Sequence, residues 1–120
     1  MGKKICLLED NDMIREIISL ILAEEHYEVM AYASVEEFSK RSKRIQPDVF
    51  LLDVMLPDGN GLDVCHDLKA DKRTRNIPVV MMSANYKPKE IECVCDAQDF
   101  ISKPFDVKDF IARLDYQASA

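Results

Sequence analysis

Acidic and basic side chains directly follow three short apolar segments that lie far apart in the chain. Glu9 and Asp10 come after the first segment, Asp53 after the second and Lys103 after the third. Each run of about four apolar residues is typical of a buried strand in a parallel sheet. Because the carboxyl ends of such strands share one edge of the sheet, ligands bind there. We therefore expect three carboxylates and one lysine to meet in a pocket that suits a divalent cation and a phosphoryl group.

The chemistry of these groups favours phosphoryl transfer onto a carboxylate. Crowded carboxylates repel one another, and a hard cation such as Mg²⁺, which prefers oxygen ligands, would relieve that repulsion. The carboxylate of Asp53 can attack phosphorus and form an aspartyl phosphate. Lys103 and the cation would neutralise the oxygens of the transferred group, and Ser83, at the end of another predicted strand, would donate its hydroxyl to one of them.

Strand and helix patterns alternate along the chain and must position these side chains. The alternation favours an α/β fold with a doubly wound, flavodoxin-like, five-stranded parallel sheet in the order 2-1-3-4-5 and five helices on its two faces. The switch point between strands one and three would place Glu9 and Asp10 beside Asp53. The strands are predicted at 4–8, 28–32, 48–53, 78–83 and 99–102, and the helices at 12–25, from 34 onward, 61–70, 87–95 and 106–116.

Length, charge and cysteine usage narrow the class of protein. The 120 residues suit one domain over 1–120, and the net charge of -6 argues against nucleic-acid binding by this segment. The first strand begins near Lys4, which leaves no room for a signal peptide, and no apolar stretch reaches membrane-spanning length. We expect a cytoplasmic protein with no membrane partner. In that compartment Cys6, Cys65, Cys93 and Cys95 should be reduced thiols, with a redox role for the last two as the alternative.

Two backbone positions are also informative. His26 stands where a glycine often ends a first helix, and we interpret it as a residue at the helix C-terminus rather than a functional histidine. Lys103 precedes Pro104, which restricts the lysine to extended conformations. A cis bond at this position would hold the lysine in one direction, and both isomers are compatible with the sequence.

Four segments together resemble the receiver domain of two-component response regulators. The resemblance runs from about Lys4 to Leu114, and each segment taken alone is a weak signal. Their order and spacing within a chain of five strand–helix units are highly specific. The segments are Leu7–Asp10, Leu52–Gly61, Ser83–Ala84 and Phe100–Phe105.

The resemblance implies a function and a metal site. Asp53 would accept a phosphoryl group from a phosphohistidine on a partner histidine kinase or histidine phosphotransfer protein. The cofactor would be Mg²⁺, with Mn²⁺ as an acceptable substitute. Asp10, Asp53 and the backbone carbonyl of Met55 would be its ligands, and Glu9 would act on the metal through water.

The resemblance also implies a switch. Ser83 and Lys103 would contact the phosphoryl oxygens, and the Phe100 ring would swing inward when Ser83 moves toward the phosphate. The face formed by predicted helix four, strand five and helix five would then present a changed surface to a downstream protein or output domain. The chain would act as a monomer or as a phosphorylation-dependent dimer.

Other functions fit the residues less well. The leading interpretation is a signalling module that catalyses only its own phosphorylation and dephosphorylation. A phosphatase with an aspartyl phosphate usually carries a second acid two residues after the nucleophile, where this chain has Met55. A flavin- or nucleotide-binding domain of the same architecture is disfavoured because the loop at 9–12 is acidic and lacks glycine. An inactive receiver used only for protein contacts would have no need of the complete set of pocket side chains.

Overall fold

Five parallel strands form the central sheet of the computed structural model, which describes residues 2–41, 46–84 and 96–119. The strands are β1 (Lys4–Leu8), β2 (Glu28–Tyr32), β3 (Val49–Asp53), β6 (Val79–Ser83) and β7 (Asp99–Ser102). A short antiparallel hairpin follows β3 and consists of β4 (Met55–Leu56) and β5 (Gly59–Asn60). The helices in the described ranges are α1 (Asp12–Glu24), α2 (Val35–Arg41), α3 (Gly61–Ala70) and the C-terminal helix (Val107–Ala118).

The strand order is β2-β1-β3-β6-β7, which confirms the predicted order because β6 and β7 are the fourth and fifth strands of the main sheet. All neighbouring strands are parallel. The chain reverses its direction of winding between β1 and β3, where Leu8 lies opposite Leu52. Asp53 lies opposite Met82 on the other side of β3. The carboxyl ends of β1, β3 and β6 therefore reach the same edge of the sheet.

Apolar side chains fill both faces of the sheet. Successive residues of a strand point to opposite faces, so each strand contributes to two separate clusters. All five residues of β3 are buried, as a strand covered on both sides requires. The first cluster, with α2 and α3, includes Cys6, Leu8, Phe38, Phe50, Leu52 and Cys65, and the second, with α1 and the C-terminal helix, includes Ile5, Leu7, Ile18, Leu22, Leu51, Phe110 and Leu114.

Side-chain caps start three of the helices close to the carboxyl ends of the strands. Asn11 Oδ1 accepts a hydrogen bond from the backbone of the first turn of α1 at 3.0 Å. Asn60 does the same for α3 at 2.7 Å, and Asp106 for the C-terminal helix at 3.1 Å. These caps satisfy backbone N–H groups that have no partner within the helix. They set the points where the chain leaves the edge of the sheet.

The structure bears on several further expectations from the sequence. The segment at 57–61, which is rich in turn-forming residues, contains part of the β4–β5 hairpin, whose strands of two residues are too short to produce a periodic pattern. The predicted helix at 87–95, with Cys93 and Cys95, lies outside the described residues. Cys6 and Cys65 are buried thiols, and burial raises the pKa of Cys6 to about 12. No helix in the described ranges combines the length and the apolar content that a membrane span needs.

Candidate functional site

The predicted convergence of charged residues occurs at the carboxyl edge of the sheet. Asp53 ends β3 and Ser83 ends β6, while Glu9 directly follows β1 and Lys103 directly follows β7. The backbone N–H of Lys103 donates to the carbonyl of Ser83 at 3.0 Å, which joins the ends of β6 and β7. Four strand ends thus bring together residues from the whole length of the chain.

Lys103 makes two ion pairs inside the site. Its Nζ lies 2.5 Å from Glu9 Oε1 and 3.0 Å from Asp53 Oδ2. The exposed fractions of the three side chains are 14% for Lys103, 1% for Glu9 and 8% for Asp53. The Lys103–Pro104 peptide bond, whose isomer the sequence left open, is cis. The lysine and the two carboxylates therefore form one largely buried, hydrogen-bonded group.

The electrostatics of this group keep the lysine charged. Burial by itself lowers the pKa of Lys103, because a charged amine loses its hydration. The hydrogen bonds and negative charges of Glu9 and Asp53 outweigh burial, so that the pKa of Lys103 is raised above its usual value. At neutral pH the amine is protonated and donates to both carboxylates.

Three carboxylates are close enough to hold one metal ion. Glu9, Asp10 and Asp53 each place one oxygen so that all three oxygens lie within 4.8 Å of one another. Asp10 is exposed while the other two are buried, so the trio spans from the solvent to the core. Within residues 2–41, 46–84 and 96–119, no other group of three histidine, cysteine or acidic side chains has this arrangement. A donor set of carboxylate oxygens fits Mg²⁺, which prefers oxygen and retains several waters.

Ser83 and Phe100 lie on the strands beside the site, as predicted. Ser83 is 2% exposed, and its neighbour Met82 lies opposite Asp53 in the sheet register. Phe100 lies opposite Met81 and belongs to the cluster packed against α2 and α3. Phe100 is only 9% exposed, so the structure describes the ring in a buried position.

The backbone after Asp53 is held on both sides. The N–H of Val54 donates to the Met82 carbonyl at 3.0 Å, and the Val54 carbonyl accepts from the N–H of Gly61 at 2.8 Å. Met55 comes next, at the start of β4, with a half-exposed side chain. The use of the Met55 carbonyl as a metal ligand stays a prediction.

Gly61 allows the start of α3 to lie close against the backbone of Asp53. A Cβ atom placed on Gly61 would lie 1.9 Å from the Asp53 carbonyl oxygen, far inside contact distance. Gly61 does not have a positive φ, so the requirement is for space rather than for an unusual conformation. Gly61 is the first residue of α3, where the predicted helix at 61–70 also begins.

Arg15 is a residue near the site that sequence reasoning missed. From α1, its guanidinium donates to the backbone carbonyls of Glu9 and Asp10 at 3.0 and 3.4 Å. Side chains on a helix point back toward its N-terminus, so an arginine in the first turn of α1 can reach the preceding loop. The position of Arg15 in the first turn of the predicted helix, shortly after the acidic loop, was the available signal.

The fold and the site assign the chain to a known class. A family model described as the response regulator receiver domain matches residues 5–115. The chain therefore belongs to the receiver domain family of response regulators. Members of this family accept a phosphoryl group in two-component signalling and bind Mg²⁺ in an acidic pocket.

Curated relatives support the same family. The chain is 33% identical over 113 residues to a DNA-binding dual master transcriptional regulator, RpaA, of Synechocystis, covering 92% of this chain and 47% of the relative. It is 32% identical over 118 residues to the phosphate regulon transcriptional regulatory protein PhoB of Escherichia coli, covering 95% of this chain and 51% of the relative. The chain thus spans about half the length of these curated relatives.

Solved structures show the same fold. The receiver domain of a signal transduction histidine kinase from Syntrophus aciditrophicus is 26% identical, with a TM-score of 0.90 over 98% of this chain and 91% of that one. The receiver domain of a sensor histidine kinase from Pseudomonas aeruginosa has a TM-score of 0.90 at 24% identity, with both chains fully covered. That structure holds a magnesium ion in its active-site cleft.

Proposed function

We propose that Asp53 is the residue of this chain that accepts the phosphoryl group, from a phosphohistidine on a histidine kinase or histidine phosphotransfer protein. The observation that carries the proposal is the contact of Lys103 Nζ with Asp53 Oδ2 at 3.0 Å, beside two further carboxylates. A carboxylate oxygen of Asp53 attacks phosphorus as the phosphorus–nitrogen bond of the donor breaks. The electron pair of that bond returns to the imidazole nitrogen, which is protonated as the donor leaves.

The acidic trio would hold Mg²⁺ in this reaction. Asp10 and Asp53, with the backbone carbonyl of Met55, would be direct ligands, and Glu9 would act through water. The bound ion supplies positive charge against the oxygens of the phosphoryl group. Since the donors are all oxygens, Mn²⁺ would substitute.

The remaining pocket residues would stabilise and report the phosphoryl group. Lys103 is held by Glu9 and Asp53 and is protonated, so it can transfer its hydrogen bonds to phosphoryl oxygens. Ser83 would donate its hydroxyl to another oxygen. A shift of Ser83 would change the packing around Phe100, which lies on the adjacent strand. Because Phe100 is already largely buried, its ring would need to move only a short distance.

Signal output would use the surface formed by β7 and the C-terminal helix, together with the predicted helix at 87–95 that lies outside the described residues. The partner would be a downstream protein or an output domain. This chain would act on it as a monomer or as a phosphorylation-dependent dimer. The named functions of RpaA and PhoB, and their greater length, support an output step in transcription. The net charge of -6 over residues 1–120, proposed as one receiver domain, argues against nucleic-acid binding by this segment.

A labelling experiment with a small phosphoryl donor tests the proposal. The chain is incubated with acetyl phosphate and Mg²⁺, and its intact mass is measured with and without a metal chelator. We expect one phosphoryl adduct that is lost in base, requires the metal and is absent from Asp53→Ala. The exposed Asp109→Ala serves as a control and should be labelled like the wild type.

Two outcomes would contradict the proposal. Persistent labelling of Asp53→Ala would remove Asp53 from its role. Rapid turnover of an added phosphomonoester, with no adduct on the chain, would favour a phosphatase instead of a receiver.

A further inference from the structure

The loop that carries two of the metal-site acids is bonded to an arginine of the next helix. Arg15 Nη1 lies 3.0 Å from the Glu9 carbonyl oxygen and 3.4 Å from the Asp10 carbonyl oxygen. Arg15 Nη2 lies 2.6 Å from Asp12 Oδ1. One guanidinium therefore contacts two residues of the loop and the first residue of α1.

The burial of the partners shows which of these contacts matters. The side chain of Arg15 is 23% exposed and that of Asp12 is 90% exposed, so their ion pair is a surface contact of small energetic weight. The carbonyl of Glu9, by contrast, belongs to a residue that is 1% exposed. Hydrogen bonds from a charged donor to a backbone carbonyl are strong and directional. The contacts to the backbone, rather than the pair with Asp12, are suited to fixing the loop.

A second hydrogen bond fixes the same loop from inside. Glu9 Oε2 accepts from the backbone N–H of Asn11 at 3.2 Å, and Asn11 in turn caps α1. The carboxylate of Glu9 is thus held by Asn11 and Lys103, while its backbone is held by Arg15. The direction in which Glu9 and Asp10 present their oxygens depends on this set of bonds.

We propose that Arg15 is a positioning residue for the metal site, acting through the backbone carbonyls of Glu9 and Asp10. The inference rests on the proposed function, since it needs the acidic trio to bind Mg²⁺. Arg15 touches neither the ion nor the phosphoryl group. Its effect is to hold the carboxylates of the loop in the orientation that a metal with strict geometry requires.

The direction in which Mg²⁺ affinity changes when Arg15 is removed distinguishes a positioning role from a purely electrostatic one. Arg15 adds a positive charge near the acids, so if charge alone mattered its removal would strengthen Mg²⁺ binding. If Arg15 positions the loop, its removal weakens binding, because the acids lose their preset orientation. Replacement of a residue that orients metal ligands typically reduces affinity by about 10- to 100-fold.

The experiment is titration calorimetry with Mg²⁺ alone on the full chain. We expect Arg15→Ala to raise the Kd about tenfold. Arg15→Lys keeps the charge but loses the planar fork of donors, so its Kd should fall between those of the wild type and Arg15→Ala. Arg73→Ala is the matched control: it removes an arginine paired with an aspartate before β6, at the opposite edge of the sheet, and should change the Kd less than about twofold at physiological salt.

Stability is measured on the same metal-free proteins by urea unfolding, so that a structural effect is recognised. Unchanged or stronger Mg²⁺ binding by Arg15→Ala, with or without a loss of stability, would overturn the inference while leaving the proposed function intact. If Arg15→Ala does not fold, Arg15→Lys must still bind Mg²⁺ more weakly than the wild type, and equal binding would overturn the inference. A wild-type chain that binds no Mg²⁺ would overturn the proposed function and this inference together.

Discussion

The ammonium group of Lys103 lies 3.0 Å from the carboxylate of Asp53, although 50 positions separate the two residues in the chain. The same ammonium contacts Glu9, so a single cation neutralises part of the charge of two buried acids. The proposed phosphoacceptor is therefore bonded to the lysine that would later bind the phosphoryl oxygens. Lys103 thus stabilises the metal-free site and, under the proposed function, would also stabilise the phosphorylated product.

Removal of Lys103 should destabilise the metal-free protein. Lys103→Met leaves Glu9 and Asp53 buried without their cation, and loss of one partner of a buried ion pair costs about 3 kcal/mol of unfolding free energy. Saturating Mg²⁺ should restore part of this loss, since it supplies positive charge at the same acids. Urea unfolding with and without Mg²⁺ measures both effects.

Lys40→Met is the control for that prediction. Lys40 pairs with Glu36 on the surface of α2, and both side chains are 71% exposed. Its replacement should lower the unfolding free energy by less than about 0.5 kcal/mol, and Mg²⁺ should not change that difference. Equal stability of Lys103→Met and the wild type would contradict the account of the buried ion pairs.

Gly61 should be intolerant of any side chain. In Gly61→Ala the added Cβ meets the Asp53 carbonyl at 1.9 Å, so α3 and the end of β3 must move apart. Overpacking of this kind costs about 1–3 kcal/mol, and the displaced Asp53 should also be labelled more slowly by a phosphoryl donor. In Gly59→Ala the nearest atom is a side-chain methyl group of Val35 at 3.0 Å, which can shift. Similar losses of stability and of labelling rate in Gly61→Ala and Gly59→Ala would contradict a specific requirement for close approach of Gly61 to Asp53.

His26 should be a site at which glycine stabilises the protein. His26 has a φ of 69°, in the left-handed region, and its N–H donates to the Ala23 carbonyl at the end of α1. A non-glycine residue pays about 1 kcal/mol for this conformation. We expect His26→Gly to raise the unfolding free energy by up to about 1 kcal/mol, as measured by urea unfolding at neutral pH. A substantial decrease would mean that the imidazole makes a stabilising contribution of its own.

Tyr27 should make stability sensitive to alkaline pH. Burial first, and then the hydrogen bond and negative charge of Asp115, raise the pKa of Tyr27. A raised pKa means that the folded state holds the phenolic proton more tightly than the unfolded state. The stabilisation is therefore complete below the ordinary tyrosine pKa of about 10 and is lost as the pH rises above it.

Tyr27→Phe tests this pH dependence. At neutral pH the unfolding free energy of the variant should be about 1 kcal/mol lower than that of the wild type, because the hydrogen bond to Asp115 is absent. Urea unfolding between pH 8 and about pH 11 should show the difference from wild type shrinking above pH 10. Tyr116→Phe, at a residue 75% exposed, should match the wild type throughout. A difference that stays constant with pH would contradict the assignment.

Much of the fold could be predicted because the three central strands of its sheet, β1, β3 and β6, are almost entirely buried. A strand such as β3, with no exposed residue, must read as a continuous apolar run, and the polar residue that ends the run marks the edge of the sheet. The predictions that Glu9, Asp53 and Lys103 converge follow from this rule and are confirmed by the two ion pairs.

The contacts of individual side chains could not be predicted in the same way. The bonds of Arg15 to two carbonyls and of Lys103 to two acids depend on rotamers and on tertiary distances, which leave no periodic pattern in the sequence. The capping role of Asp58, which accepts from the backbone of Val35 and Glu36 at the start of α2, is equally non-local. Sequence patterns identify the edge where chemistry occurs, and packing decides how each group is held there.

Chemical trapping of the phosphorylated residue tests the central claim most directly. The chain is phosphorylated with acetyl phosphate and Mg²⁺ and then treated with borohydride, which reduces an aspartyl phosphate to homoserine. Peptide mass spectrometry locates the reduced position. The account predicts homoserine at Asp53 alone, and reduction at Glu9 or Asp10, or at no acidic residue, would contradict it.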